Sequence, residues 1–404
     1  MTLHAAPQRG LALLLAALSA IGPFAIDTYL PSFPDIAARL QATPLEVQQT
    51  LSAYLFAFAA MTLWHGAIAD RFGRRRVILI ALGLFALASL GCAFATSIGQ
   101  LWFWRGLQGV TAGAGIIISR AIVRDLYDGA PAQRLMANIS MMFALAPALA
   151  PLIGGWLQAT WGWRSVFGFL VVASGLLLLL CAYQLQETLP PEKRQSLRPA
   201  YLLGAYRKIF SSPPFLFACA ALSLNFNGFF LYVLSAPVFL MRHLNLPETA
   251  FLWLFGPGML GLICGSWLAG RLAGRISAGK AVYYGHLVMG AAALLNLLLS
   301  GILPPGLPWS ILPIALYTCG MALAMPSLTL FALDPFPQQR GLAASCQTFF
   351  QAAANGLTAA VIAPLLWDST FSLALGMAGS LLLGSLAALA YRRTLGRNSA
   401  LLPG

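Results

Sequence analysis

One carboxylate in the first apolar run and one guanidinium in the fourth are the side chains best suited to do chemistry. Asp27 opens the segment Asp27-Thr28-Tyr29-Leu30-Pro31, and Arg105 sits in Leu101-x-x-x-Arg105-x-x-Gln108-Gly109. A charge inside an apolar span is costly and usually functional. Asp27 stands four residues, about 6 Å of helix, before Pro31, and Arg105 stands roughly 8 Å inside the end of its own run, so their depths match. Desolvation favours the neutral acid and a nearby guanidinium favours the carboxylate, so a modest rearrangement can move a proton on or off Asp27. Proton coupling is the chemistry this pair offers, with the proton as coupling ion and no other cofactor. The alternatives are a fixed structural ion pair, or Asp27 as a surface turn residue ahead of Pro31.

Three stripes suggest the lining of a ligand cavity. Gln347, Gln351 and Asn355 recur at i, i+4, i+8; Asn225, Gly228 and Tyr232 share a helix face; Tyr54, Phe58 and Met61 form an aromatic and thioether stripe. An adaptable pocket for a lipophilic, weakly polar small molecule would combine these groups. Simple packing explains the aromatic stripe equally well, and lipid exposure or interhelical bonding is the alternative for the amides. No metal site is expected. His4, His65, His243 and His286 have no paired ligand spacing, and the six cysteines fall in apolar segments without a Cys-x-x-Cys. Gly274-Arg275-Ile276-Ser277-Ala278-Gly279-Lys280 imitates a phosphate-binding loop, but Ala281 replaces the required Ser or Thr and the segment follows an apolar run rather than a strand.

The elements that must carry these residues follow from composition. Of 404 residues, 59% are hydrophobic and 9% charged, which excludes an ordinary soluble domain, a disordered chain and a nucleic-acid partner. Apolar runs long enough to span a bilayer lie near 10–31, 48–69, 77–96, 99–123, 135–159 and 164–185, then near 213–240, 251–270, 281–303, 309–333, 341–366 and 370–391. The first is read as a retained helix rather than a leader peptide. The expected fold is an all-α polytopic membrane protein of twelve helices in two six-helix bundles, residues 1–185 and 213–404, joined by a polar linker, 186–212, that includes Arg198. Placing both termini in the cytoplasm puts 20 of the 24 Lys and Arg residues on the inner side; Arg39, Arg164 and Arg242 fall outside, and Arg105 lies within a helix. Interfacial tryptophans, including Trp102, Trp163 and Trp367 at outer ends, agree with these boundaries. Asp128-x-x-Pro131-x-Gln133-Arg134 recurs 206 residues later as Asp334-x-x-Pro337-x-Gln339-Arg340, each copy between the fourth and fifth helix of its half. Duplicated halves are a transporter's architecture, with the site between them.

Two further segments shape the expectation. In the loop Gly66-Ala67-Ile68-Ala69-Asp70-Arg71-Phe72-Gly73-Arg74-Arg75-Arg76, Asp70 can cap a helix and pair with Arg, Gly73 permits a tight turn, and the arginines meet anionic lipid. A purely topogenic basic loop explains the arginines alone. In the fifth helix Pro147 and Pro151 favour a bend, and Ala146, Ala150 and Gly154 form a small-residue stripe that Gly261, Gly265 and Ala269 repeat in the eighth. These stripes are expected at a sliding interface between the halves, with ordinary packing inside one half as the alternative.

The Gly66 to Arg76 loop resembles the cytoplasmic signature of the major facilitator superfamily, and the Leu101 to Gly109 segment resembles its fourth-helix motif. Ala146-Pro147-Ala148-Leu149-Ala150-Pro151-Leu152-Ile153-Gly154-Gly155 is similar to the fifth-helix motif of its drug/proton antiporters. With Asp27 to Pro31 and Arg120-Ala121-Ile122-Val123-Arg124-Asp125-Leu126-Tyr127, the resemblance narrows to the bicyclomycin-resistance and chloramphenicol-efflux group. It implies the major facilitator fold and export of small drug-like molecules from a bacterial inner membrane, by a non-enzymatic monomer embedded in lipid. It implies proton exchange at Asp27 and a conformational latch built from Gly66, Asp70, Arg71, Gly73 and Arg74. Relatives with a second acid two turns earlier differ from this chain, which has Ser19 in that neighbourhood, so one proton per cycle is the simplest expectation. A proton-coupled sugar or amino-acid transporter, a polytopic lipid enzyme and a signalling receptor are the alternatives.

Overall fold

Backbone polar groups that cross a bilayer must be bonded inside the chain, and a helix does this within one segment. The computed structural model describes residues 9–127, 129–194, 199–337 and 339–399, and among them it contains helices and turns but no strand. His4, Asp128 and Arg198 lie outside the described residues. The chain divides into two compact units, Met1–Arg198 and Pro199–Gly404.

In the first unit the long helices are α1 (Arg9–Asp27), α3 (Pro44–Phe72), α4 (Arg74–Ala93), α5 (Ile98–Leu126), α6 (Gly129–Trp161) and α7 (Trp163–Gln184), with the short α2 (Phe33–Arg39) after α1. The second unit opens with α8 (Pro199–Phe210) and continues with α9 (Pro213–Leu234), α10 (Leu252–Leu272), α11 (Ala278–Ile302), α12 (Leu312–Leu333), α13 (Arg340–Leu357), α14 (Ala363–Leu366) and α15 (Thr370–Ser399). Eleven stretches among the described residues are long and apolar enough to span a membrane. With α6, 33 residues long and carrying Arg134 as its one charge, they make twelve, six to a unit.

The two units pair their helices in the same way. In the first, α3 packs on α5, α4 on α5 and α7, and α1 on α5, α6 and α7. In the second, α10 packs on α12, α11 on α12 and α15, and α9 on α12, α13 and α15. The duplication visible in the loops is therefore a duplication of packing.

Local chemistry sets the boundaries. Thr43 and Glu46 form a capping box that starts α3 earlier than its apolar run does. Ser277 caps α11 by accepting from the Lys280 N–H at 3.3 Å, which gives the imitation phosphate loop a plain structural use. The helix α1 stops at Asp27, four residues short of the expected end, and a 3₁₀ turn, Leu30–Ser32, leads into α2. Part of the polar linker is helical as well: Leu202, Ala205, Tyr206 and Ile209 of α8 repeat at i, i+3, i+4, i+7 and are buried.

The expected role of the small-residue stripes needs correction. A Cβ at Gly154 would collide with the backbone carbonyl of Thr28, and Cβ atoms at Gly261 and Gly265 with the carbonyls of Ala315 and Cys319 on α12. These residues are used for close packing inside their own units, the alternative weighed above. A Gly154→Val change sets a branched side chain against backbone that cannot turn aside. It is expected to cost about 1–3 kcal/mol, read as a lower unfolding midpoint in detergent. Gly168 faces open space, so Gly168→Ala is expected to shift stability by less than about 0.5 kcal/mol. Equal midpoints would refute the close α6 contact.

Candidate functional site

Arg105 has no exposed surface, and four segments supply its surroundings. Its Nη1 donates to the Ala25 carbonyl at 3.0 Å and to Gln108 Oε1 at 2.7 Å. Gln108 in turn donates to Ser89 Oγ on α4 at 2.7 Å. The guanidinium carbon lies 4.8 Å from the Tyr29 ring centroid and 4.5 Å from that of Tyr54, so two aromatic faces receive the charge. Those rings are themselves tied down. Tyr54 donates its hydroxyl hydrogen to the Gly22 carbonyl at 2.9 Å, and Tyr29 shares a hydrogen bond with Thr50 at 2.8 Å. Tyr54 thus belongs to the arginine site, while Phe58, stacked on it at 6.3 Å, and Met61 remain half-buried further along α3.

Asp27 closes α1 and is 4% exposed, which sets aside its reading as a surface turn residue. No ion pair with Arg105 forms within 4.0 Å among the described residues, so the fixed ion pair is set aside too. Neutral partners hold Nη1 of Arg105, while its Nε and Nη2 are buried without a hydrogen-bond partner among the described residues. The Asp27 Oδ1 atom is buried without a hydrogen-bond partner, at the end of a helix whose dipole disfavours negative charge. An ionised carboxylate in that position needs a compensating group.

In the second unit the amide stripe belongs to a network between α9 and α13. Gln351 Oε1 accepts from Ser223 Oγ at 3.3 Å, Gln351 Nε2 donates to Asn355 Oδ1 at 3.2 Å, and Asn227 Nδ2 reaches the same Asn355 oxygen at 3.1 Å. Gln347, Gln351 and Asn355 are half-buried on one helix face. Ser223 and Asn227 were not anticipated, although their i, i+4 spacing was readable. Asn225 and Tyr232 depart from the expected lining. Asn225 is fully buried, with its Nδ2 on His286 at 3.1 Å and its Oδ1 without a partner among the described residues, and Tyr232, 1% exposed, accepts from Asn296 at 2.7 Å, so both bond α11. Ser223 and Asn227 are buried as well, and of the α9 and α13 network only Gln351 and Asn355 are half-buried.

The loop between α3 and α4 is an ion-pair cluster. Arg74 binds Asp70 at 2.6 Å and Asp125 at 3.1 Å. Its backbone N–H donates to Glu187 Oε1 at 2.9 Å, so Glu187, not Asp70, serves the α4 N-terminus. Gly73, at φ +96°, admits that carboxylate where a Cβ would strike it. Arg71 is exposed over the Phe72 ring at 5.3 Å, and Gly66 lies in α3 near Ile117 of α5. Every described partner of this loop belongs to the first unit. Along α6, Pro147 is half-buried, and Pro151, Gly154 and Gly155 are buried.

These contacts separate the two charges experimentally. Arg105→Lys keeps the charge but loses the planar group facing two rings, and is expected to lower the unfolding midpoint by the equivalent of about 2 kcal/mol. Asp27→Asn breaks no ion pair and is expected to stay within about 0.5 kcal/mol of wild type. A loss at Asp27→Asn as large as at Arg105→Lys would mean that the two residues form a structural lock.

Similarity to known proteins agrees with this architecture. The "Uncharacterized MFS-type transporter YdgK" of Bacillus subtilis (strain 168) is 37% identical over 270 residues, 66% of this chain and 67% of the relative. The "Bicyclomycin resistance protein homolog" of Haemophilus influenzae is 26% identical over 375 residues, 93% of this chain and 94% of the relative. "Multidrug resistance protein D" of Escherichia coli (strain K12) is 29% identical over 364 residues, 88% and 89% of the two chains. Among solved structures, a bacterial homologue of the human lysosomal transporter Spinster has a TM-score of 0.69 at 17% identity, covering 95% of each chain. The human organic anion transporter MFSD10 has a TM-score of 0.67 at 20% identity, covering 95% of this chain and all of that one. These two structures speak for the fold alone. The profile of the Major Facilitator Superfamily matches residues 13–359, and with twelve spans in two equivalent six-helix units the chain belongs to that family.

Proposed function

We propose that this chain is a proton-coupled secondary transporter of the inner membrane that exports small drug-like molecules by alternating access. The observation that carries the reading is the buried, unpartnered Oδ1 of Asp27 at the end of a membrane helix. A proton is the smallest group that can compensate a carboxylate there, and it can be taken up and released in each cycle. The resistance-protein names of relatives aligned over most of the chain support drug-like substrates. The α9 and α13 network supports them too. Gln351 and Asn355, half-buried and positioned by the buried Ser223 and Asn227, offer amide groups but no fixed charge, which suits neutral, weakly polar molecules better than strong cations.

The energetics are adequate without ATP. Across 100 mV, one inward proton supplies about 2.3 kcal/mol, a roughly fifty-fold accumulation of a neutral substrate before any pH gradient. The chain is taken to act as a monomer, with both termini in the cytoplasm.

The test is transport in everted membrane vesicles energised by an imposed pH gradient, with bicyclomycin- and chloramphenicol-like compounds as substrates. Wild type is expected to accumulate substrate, Asp27→Asn to lose the proton-driven component, and Asn227→Ala to keep coupling while its KM rises by about five- to tenfold, the value of one or two hydrogen bonds. Full proton-driven accumulation in Asp27→Asn would contradict the assignment. Accumulation in the same direction as the proton flux would make the chain a symporter.

A further inference from the structure

The second unit contains a cavity of about 390 Å³ among α11, α12 and α15, away from the α9 and α13 network. Val282, Tyr283 and His286 of α11, Phe331 of α12 and Leu389 and Arg392 of α15 line it. Its size falls in the range of small-ligand pockets. The lining is apolar apart from His286, Ser385, the tyrosine hydroxyls and Arg392, and it contains no carboxylate. Tyr283, Leu389 and Arg392 are exposed, and Phe331 stacks on Tyr391 at 5.0 Å, fastening α12 to α15 beside the opening.

On helices that cross a bilayer, an exposed apolar wall meets acyl chains. The charge is gathered at one end of this wall. Arg392 is followed by Arg393, and Lys280 precedes Tyr283 by three residues on α11. Asp334, which follows α12, lies close enough to Tyr391 to act on it electrostatically but makes no ion pair with Arg392 within 4.0 Å among the described residues. An apolar slot that ends at an unpaired guanidinium matches a phospholipid of net negative charge: the slot takes an acyl chain, and the guanidinium hydrogen-bonds the phosphate. A neutral drug-like solute would make no use of the cation, and a zwitterionic lipid would bring a second positive charge to the same place.

We propose that the groove between α11, α12 and α15 binds one anionic phospholipid, with an acyl chain along Val282, Phe331 and Leu389 and the phosphate at Arg392. The site also touches the transport side of the unit. His286 Nδ1 donates to the Val282 carbonyl at 2.8 Å, so its Nε2 accepts from Asn225 on α9, two residues before Asn227. A lipid seated against His286 therefore braces the helix that carries the amide network. The proposal requires only the membrane setting, and its test reads lipid retention rather than transport.

The full chain, purified in detergent, is titrated with dioleoyl phosphatidylglycerol or dioleoyl phosphatidylcholine, and retained lipid is counted by native mass spectrometry. Wild type is expected to keep one phosphatidylglycerol about tenfold more tightly than phosphatidylcholine. Arg392→Gln is expected to erase that preference, and Ser385→Trp, which fills the slot, to lose the bound lipid. Ala388→Phe serves as a second filling variant, and Arg392→Gln, on an exposed side chain, keeps the test decisive if neither filling variant folds. Wild-type phosphatidylglycerol retention in Arg392→Gln and in a folded filling variant would overturn the site. Equal retention of the two lipids would overturn its charge selectivity. Displacement of phosphatidylglycerol by equimolar inorganic phosphate would assign a free-anion site instead.

Discussion

A guanidinium with no exposed surface must be held by fixed partners, and the packing of the first unit is built around that demand at Arg105. The partners are neutral: a main-chain carbonyl freed where α1 ends, an amide from the next turn of α5, and the faces of two tyrosines. Each is secured by a further contact, from Gln108 to Ser89, Tyr54 to Gly22 and Tyr29 to Thr50. The network fixes α1, α3, α4 and α5 to one another without using a carboxylate. Asp27 is thereby left unspent. Had Asp27 been the counter-charge, every protonation would have broken a buried ion pair, at a cost of several kcal/mol; under the proposed coupling, protonation of Asp27 breaks no ion pair among the described residues.

The two units share their helix pairing but not their chemistry. The first carries the buried charges and the Arg74, Asp70, Asp125 and Glu187 cluster. The second offers amides and a hydroxyl at its α9 and α13 face. This division matches the two tasks of a coupled transporter, in which one group must change its charge and others must tolerate varied uncharged ligands. The small-residue stripes belong to the common scaffold, since each closes a helix pair within its own unit.

Much of this was legible in the sequence, for reasons that differ from one residue to another. The twelve spans follow from apolar run length alone, because a membrane helix declares itself by composition. Counting residues places Asp27 and Arg105 at similar heights, and Arg105 does reach the Ala25 carbonyl near the end of α1; their lack of an ion pair was not readable, because counting fixes height along a helix but not what else competes for the side chain. Asn225 and Tyr232 bond α11 and not α13, a difference of azimuth. Two residues turn a helix by about 200°, so Asn225 and Asn227 address different neighbours, α11 and α13. The i, i+4 pair Ser223 and Asn227 carried the signal for the contact with α13. Glu187 could not have been assigned, since nothing local links it to Arg74, 113 residues away. The helix α8 was readable from its apolar spacing but obscured by the charged residues around it.

The central claim is that Asp27 holds the exchanged proton while the α9 and α13 amides hold the substrate. The most direct measurement is proton release from the purified chain in weakly buffered detergent solution when a substrate identified by vesicle transport is added. The account predicts about one proton released per substrate bound by wild type, none from Asp27→Asn although substrate still binds, and an unchanged ratio with weaker binding in Asn227→Ala. Proton release of wild-type size from Asp27→Asn would contradict it.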